Sequence, residues 1–197
     1  PAVNTKKVSA ADQDIVRKEY SLRKPYILTV GKVEPRKNIA RLIKAFIMAK
    51  LYEDMDLVIV GAQGWGQLEH IDIPAHAKKS LKFLGYVSEE HLGGLYSCAE
   101  IFAMPSLYEG FGYPVIEAMS YGTPVACSNT SSLGELVKGY GVLFNPIEVD
   151  SIAESLTKLH AQPSLRKANV KKAHSYAKTF TSKRFADELT KILESIV

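Results

Sequence analysis

Between Glu109 and Glu117 the chain reads Glu-Gly-Phe-Gly-Tyr-Pro-Val-Ile-Glu, two carboxylates with seven residues between them. Carboxylates hold hydroxyl groups or offset developing positive charge. Gly110 and Gly112 let a ligand approach the backbone closely, and Pro114 suits the first turn of a helix, where its missing N–H costs nothing. A helix that starts there offers free N–H groups and the positive end of its dipole to a phosphate. The apolar run Ile101-Phe102-Ala103-Met104 precedes the motif and ends at Pro105-Ser106, giving the order strand, tight loop, helix. Two solvated glutamates around an ordinary turn would show the same spacing. The glycines, the proline and the preceding strand favour a loop that binds a phosphate-bearing ligand with hydroxyls, of which a sugar nucleotide is one.

The elements around this motif alternate. Apolar runs ended by glycine or polar residues predict strands over 25–31, 57–60, 82–85, 101–104, 124–128 and 140–144. Helical spacing predicts helices from Asn38 as cap through Ile47, from Ser88 to about Ala99, from Pro114 to Tyr121, and from Asp150 as cap through His160. Two more follow over about 164–178 and 182–196. Such alternation implies α/β architecture: a single Rossmann-like, doubly wound parallel sheet of about six strands with helices on both faces. In the strand order 3-2-1-4-5-6, strands 1 and 4 are neighbours, and ligands bind in the crevice where their helices diverge. The loop after strand 1 carries Gly31, Lys32, Arg36 and Lys37; the loop after strand 4 carries the two-glutamate motif. Both fall beside one crevice, where cations would stabilise the charge of a departing diphosphate.

The stretch from Tyr96 to Val125, with Pro105-Ser106, Glu109-Gly110-Phe111-Gly112, Pro114, Glu117-Ala118-Met119 and Gly122-Thr123-Pro124-Val125, resembles the signature of family 4 retaining glycosyltransferases. Those enzymes have the GT-B architecture, two Rossmann-like domains across a cleft, and the resemblance covers about 25–159. It implies a nucleoside-diphosphate sugar as donor, with no metal or other cofactor. Lys37, Arg36 and Lys32 would contact the diphosphate; the family usually has arginine where Lys32 stands, and Arg36 is the alternative there. Glu109 would lie against the donor sugar, holding its hydroxyls or offsetting oxocarbenium charge. Glu117 would accept from the ribose hydroxyls, and the amides around Phe111, Gly112 and Tyr113 would meet the sugar and distal phosphate. The turn Gly85-Tyr86-Val87 resembles the base-binding loop, with a packing role as the other reading of Tyr86. Pro35-Arg36-Lys37-Asn38, Gly64-Trp65, Phe83 to Val87 and Ser128 to Leu133 resemble a mannosyl- and rhamnosyltransferase branch that builds surface polysaccharides from GDP-sugars, with mannose the preferred sugar. Gly134-Glu135 departs from that branch, which usually has Pro-Glu.

Composition limits the alternatives. The 197 residues are 46% hydrophobic and 23% charged, ordinary for a globular domain, and no apolar run approaches the roughly 18 residues of a membrane span. Cys98 and Cys127 read as buried free thiols, with their pairing as the alternative. The five histidines lack ligand spacing, and Trp65 between glycines reads as packing or rim. The net charge of +4 collects near 32–50 and 166–184, which reads as solvated helix faces with attraction to an anionic donor. No aromatic residues interleave with those charges, so no nucleic acid partner is expected. The organisation read here is a lead-in segment over 1–24, a nucleotide-sugar-binding domain over 25–180, and a C-terminal helix over 181–197 packing toward an N-terminal domain outside the chain. That domain would bring a glycan or lipid-linked acceptor. The expected location is cytoplasmic, with peripheral contact at the inner face of the membrane. A sugar phosphorylase, a nucleotide-sugar epimerase or a non-catalytic sugar-nucleotide-binding module would share the fold.

Overall fold

The computed structural model describes residue 3 and residues 6–64 and 71–196; Trp65 and His70 lie outside them. In chain order the elements are α1 (Ala10–Glu19), β1 (Tyr26–Val30), α2 (Ile39–Met48), β2 (Asp56–Val60), α3 (Ala75–Lys78), β3 (Leu81–Gly85), α4 (Glu89–Cys98), β4 (Ile101–Met104), α5 (Tyr113–Ser120), β5 (Val125–Ser128), α6 (Ser131–Val137), β6 (Val142–Phe144), α7 (Val149–Ala161), α8 (Pro163–Ala177) and α9 (Ser182–Glu194). The six strands form one sheet in the order β3-β2-β1-β4-β5-β6, parallel at every pairing.

The strands are apolar on both faces because both faces are covered. Leu28, Val58, Val60, Phe102 and Met104 pack into one core with residues of α1, α4, α5, α6 and α8. Their neighbours Ile27, Leu57, Ile59, Ile101 and Ala103 pack into a second core, against α2 and α7. Helices that follow β1 and β4 therefore leave toward opposite faces, and the crevice between the two strand ends is open at that point.

Two local readings change. Asn38 precedes α2 in the left-handed region (φ 57°) and does not cap it with its side chain. Its amide instead donates to the carbonyls of Pro105 (3.0 Å) and Pro146 (2.7 Å), so it ties three loops together. Asp150 lies inside the first turn of α7, whose cap position is Glu148. The stretch Ser128 to Leu133 holds the end of β5 and the start of α6. In the lead-in segment, Ser9 and Asp12 form a capping box at α1: the Asp12 amide donates to Ser9 Oγ at 3.2 Å and the Ser9 amide to Asp12 Oδ2 at 2.8 Å. Its sequence signal, Ser-x-x-Asp, was available. Cys127 is buried, Cys98 is only half-buried at the end of α4, and both are free thiols.

Candidate functional site

Strand β1 ends at Val30 because Gly31 follows with φ 149°. A side chain at this glycine would meet Lys37 Cε at 3.1 Å and its ammonium nitrogen at 3.3 Å. The small residue thus makes room for Lys37 to fold back over the strand end. A short turn, Pro35–Lys37, carries both cations. From the other side of the crevice the loop after β4 brings Glu109, and the two loops are sewn together where the Leu107 amide donates to the Arg36 carbonyl at 2.8 Å.

The result is a charge network. Lys37 Nζ donates to Glu109 Oε1 at 2.7 Å, and Arg36 reaches Oε2 at 3.0 Å. Arg36 also donates to Glu34 Oε1 and to the Tyr108 carbonyl, both at 2.8 Å. The side chains of Lys37 and Glu109 are only 13% and 11% exposed, so this pair is worth more than a solvated one. Burial pushes the Glu109 carboxyl up, while Lys37 and Arg36 pull harder, so it sits below its ordinary value. The buried Ser106 hydroxyl also lies near enough to lower it. It makes no hydrogen bond of good distance and angle, so we assign the net shift to the two cations.

The loop is held from beneath by α6. The Glu109 amide donates to Ser131 Oγ at 3.1 Å, and Ser132 Oγ donates to the carbonyls of Glu109 and Phe111, each at 2.9 Å. Gly112 then turns the chain into α5 with φ 106°, and a side chain there would meet Leu133 Cδ2 at 2.7 Å. Only glycine satisfies both demands. Pro114 sits in the first turn of α5, which begins one residue earlier than expected, at Tyr113. The amides of Phe111, Gly112 and Tyr113 donate to no acceptor among the described residues, and they lie at the positive end of the α5 dipole.

Glu117, on the second turn of α5, does not join this network. It faces α4 and lines a pocket of about 200 Å³ with Lys6, Glu89, Leu92, Gly93, Tyr96 and Tyr121. Tyr96 donates to Glu117 Oε2 at 2.8 Å. Here burial wins: it raises the Glu117 carboxyl above its ordinary value, and the Tyr96 hydrogen bond offsets only part of that.

Two loops that set cations and carboxylates at the switch point of such a sheet match a known family. Residues 12–176 fit the model of glycosyl transferases group 1. The chain belongs to that family. Among its relatives is the O-antigen chain mannosyltransferase B of Escherichia coli, 36% identical over 160 residues, which are 79% of this chain and 42% of that protein. The sucrose-phosphate synthase of Thermosynechococcus elongatus superposes with a TM-score of 0.73 at 25% identity, over 93% of this chain and 48% of the other. Anabaena Alr3699/HepE, solved in complex with UDP, superposes at 0.81 and 21% identity, over 95% of this chain and 54% of that one. The match is thus to about half of each protein, and the fold is that of one half of a GT-B glycosyltransferase.

Within this glycosyltransferase domain the remaining expected residues separate. Lys32 is exposed and runs along Gly64, with no carboxylate partner among the described residues. Gly110 is exposed with open space around it. Tyr86 is 82% exposed at the turn after β3, whereas its neighbour Val87 is buried, so the packing reading fits Val87 and not Tyr86. No role in the site was expected for Glu34, Asn38, Tyr96, Ser131 or Ser132. Their roles come from chain segments brought together by the fold, although Asn38, Tyr96, Ser131 and Ser132 all lie within stretches that carry the family resemblance. Among the described residues no helix is long and apolar enough to cross a membrane, and no group of three or more His, Cys, Asp and Glu side chains is placed to hold a metal.

Proposed function

We propose that this domain binds a nucleoside-diphosphate sugar in the crevice between β1 and β4 and serves a retaining hexosyl transfer, with GDP-mannose as donor. The observation that carries the reading is the Lys37–Glu109–Arg36 network. Two cations are held at the strand ends by a carboxylate, beside the free amides of the α5 start. Lys37 and Arg36 take the diphosphate and stabilise its charge as it departs, while Lys32 closes from the rim. Glu109 keeps both cations aimed and presents its carboxylate to the anomeric side of the sugar. The amides of Phe111, Gly112 and Tyr113 meet the distal phosphate and sugar. Glu117 takes ribose hydroxyls, and the Tyr86–Val87 turn meets the base. No step in this scheme draws on a metal. The mannosyltransferase relatives support the choice of sugar, and their O-antigen products support a glycan or lipid-linked acceptor. In a protein of the relatives' length that acceptor falls to residues beyond the matched half, and catalysis needs closure of both halves. Such work belongs in the cytoplasm beside the membrane where lipid-linked glycans are built.

Calorimetry with GDP, UDP, ADP, GDP-mannose and UDP-glucose tests this. GDP and GDP-mannose should bind, and Lys37→Met should weaken both by about 100-fold, the loss of a partly buried charge-assisted contact. Binding that ignores Lys37→Met, or no binding by a folded chain, would overturn the reading. UDP binding in place of GDP would replace the donor and keep the site.

A further inference from the structure

Two tyrosines of the core bury their hydroxyls completely, and they use them differently. Tyr26 donates to the Leu95 carbonyl at 2.6 Å, which is all that a buried hydroxyl needs. Tyr96, the next residue of the same helix, sends its hydroxyl to an ionisable side chain in an open pocket, Glu117 Oε2 at 2.8 Å. Everything around Tyr96 holds that hydroxyl still. Its carbonyl accepts from Thr123 Oγ1 at 2.6 Å. Its ring packs against Phe102, with centroids 5.5 Å apart, and stacks on Tyr121 at 5.7 Å with 9° between planes. Room for that stack comes from Gly93, where a side chain would meet the Tyr121 hydroxyl at 2.8 Å.

We infer that Tyr96 is the positioning residue of Glu117: its hydroxyl occupies Oε2 and turns Oε1 toward the pocket for a pair of ligand hydroxyls. This rests on the reading of Glu117 as the ribose-holding carboxylate. A carboxylate on a helix has free rotation about its last bonds. Fixing one oxygen removes that freedom before the ligand arrives, so less is lost on binding. The donor is also dependable. Burial and the neighbouring Glu117 push the Tyr96 hydroxyl far above its ordinary value, so it stays protonated wherever the protein is folded. The charged or titratable groups facing Glu117 are Glu89 from α4, Lys6 from the lead-in segment, Tyr121 from the end of α5 and Tyr96 itself. Of these, Tyr96 lowers the Glu117 carboxyl and Glu89 raises it. Removing the Tyr96 hydroxyl therefore lets burial act unopposed, and the carboxylate takes up its proton at higher pH.

The experiment follows the Glu117 carboxyl carbon by NMR through a pH titration in the parent chain, Tyr96→Phe and Tyr26→Phe, with GDP and 2′,3′-dideoxy-GDP affinities measured in parallel. Tyr96→Phe should move the Glu117 midpoint upward and weaken GDP by about tenfold, as expected for a lost hydrogen bond to a charged group. It should leave the dideoxy compound, which lacks the hydroxyls, unchanged. Tyr26→Phe should lower stability without moving the midpoint. A 3-fluorotyrosine at position 96 keeps the ring and donates more strongly, so it should move the midpoint downward even if Tyr96→Phe fails to fold. An unmoved midpoint in both position-96 variants overturns the inference. If Glu117→Gln weakens GDP but Tyr96→Phe does not, the positioning role fails and the role of Glu117 stands. If the midpoint moves while neither substitution affects GDP, the ribose reading of Glu117 fails, and this inference with it.

Discussion

Glu109 and Glu117 belong to one nine-residue motif, yet they live under opposite electrostatics. Glu109 has a cation on each oxygen and sits below the ordinary carboxylate value; Glu117 has a neutral hydroxyl on one oxygen and sits above it. Burial penalises the charge in both. What differs is whether the neighbours repay the lost hydration, and only Lys37 and Arg36 do so in full. The contrast matters for chemistry, because paired carboxyl groups take distinct roles when their surroundings push them apart. On the proposed reading, Glu109 is a fixed anion that holds cations in place for a polyanionic ligand, and Glu117, the weaker acid, accepts from neutral hydroxyls.

The sharpest way to break this comparison is to remove each charge while keeping shape. Glu109→Gln leaves Lys37 without a counter-charge and Arg36 with Glu34 alone, and should cost about 2–3 kcal/mol of stability near neutral pH. The pH dependence has a definite sign. A carboxyl held below its unfolded value contributes stability that is present above that value and is lost as pH falls through the folded one. The difference between parent and Glu109→Gln in denaturant melts should therefore shrink steadily in acid. A constant difference would mean that the cations do not hold the carboxylate. Joined with Lys37→Met in a double-mutant cycle, the two losses should be far from additive, because each removes the same contact.

Glu117→Gln should act in the other direction and more weakly. A carboxyl raised by burial loses stability as pH climbs from the ordinary value to the folded one, and that deficit persists above it. Glutamine carries no such penalty and still accepts from the Tyr96 hydroxyl. The variant should melt at the same denaturant concentration as the parent in acid and at a higher one near neutrality. Equal or lower stability near neutrality would erase the distinction between the two carboxylates.

Much of the frame behind this contrast was legible in the residues. The strands announce themselves because a doubly covered parallel sheet demands unbroken apolar runs, as at Ile27-Leu28 and Leu57 to Val60, and the strand order placed two charged loops at one crevice. Gly112 and Pro114 fixed the start of α5 to within one residue. The rest needed distances across the chain. Asn38 looked like a helix cap because asparagine before an apolar period usually is one, but its NH2 is drawn to the carbonyls of Pro105 and Pro146 and its oxygen accepts from Arg41, so the cap is not made. Tyr96 is a core residue, and only the packing of α5 on α4 shows where its hydroxyl points. The same packing separates Glu117 from Glu109, whereas sequence spacing alone set them toward one cleft.

The smallest effect probes how the rigid half of the comparison is maintained. Ser132 contributes no charge, yet its one hydroxyl proton is shared between the carbonyls of Glu109 and Phe111, on either side of the exposed Gly110. Ser132→Ala removes that clasp and leaves two partly exposed carbonyls free to find water, so the stability loss should be only about 0.5–1 kcal/mol. The consequence for binding should be selective. The amides of Phe111 to Tyr113 depend on the clasp for their direction, whereas Glu117 is carried by the body of α5 and does not. Affinity for pyrophosphate, which reaches only the cations and the amides, should fall about threefold, a fraction of a hydrogen bond. The midpoint of Glu117 in the same NMR titration should stay where it is. A shift of that midpoint in Ser132→Ala would show that the two carboxylates are mechanically one site, and that their opposite electrostatics are not independently set.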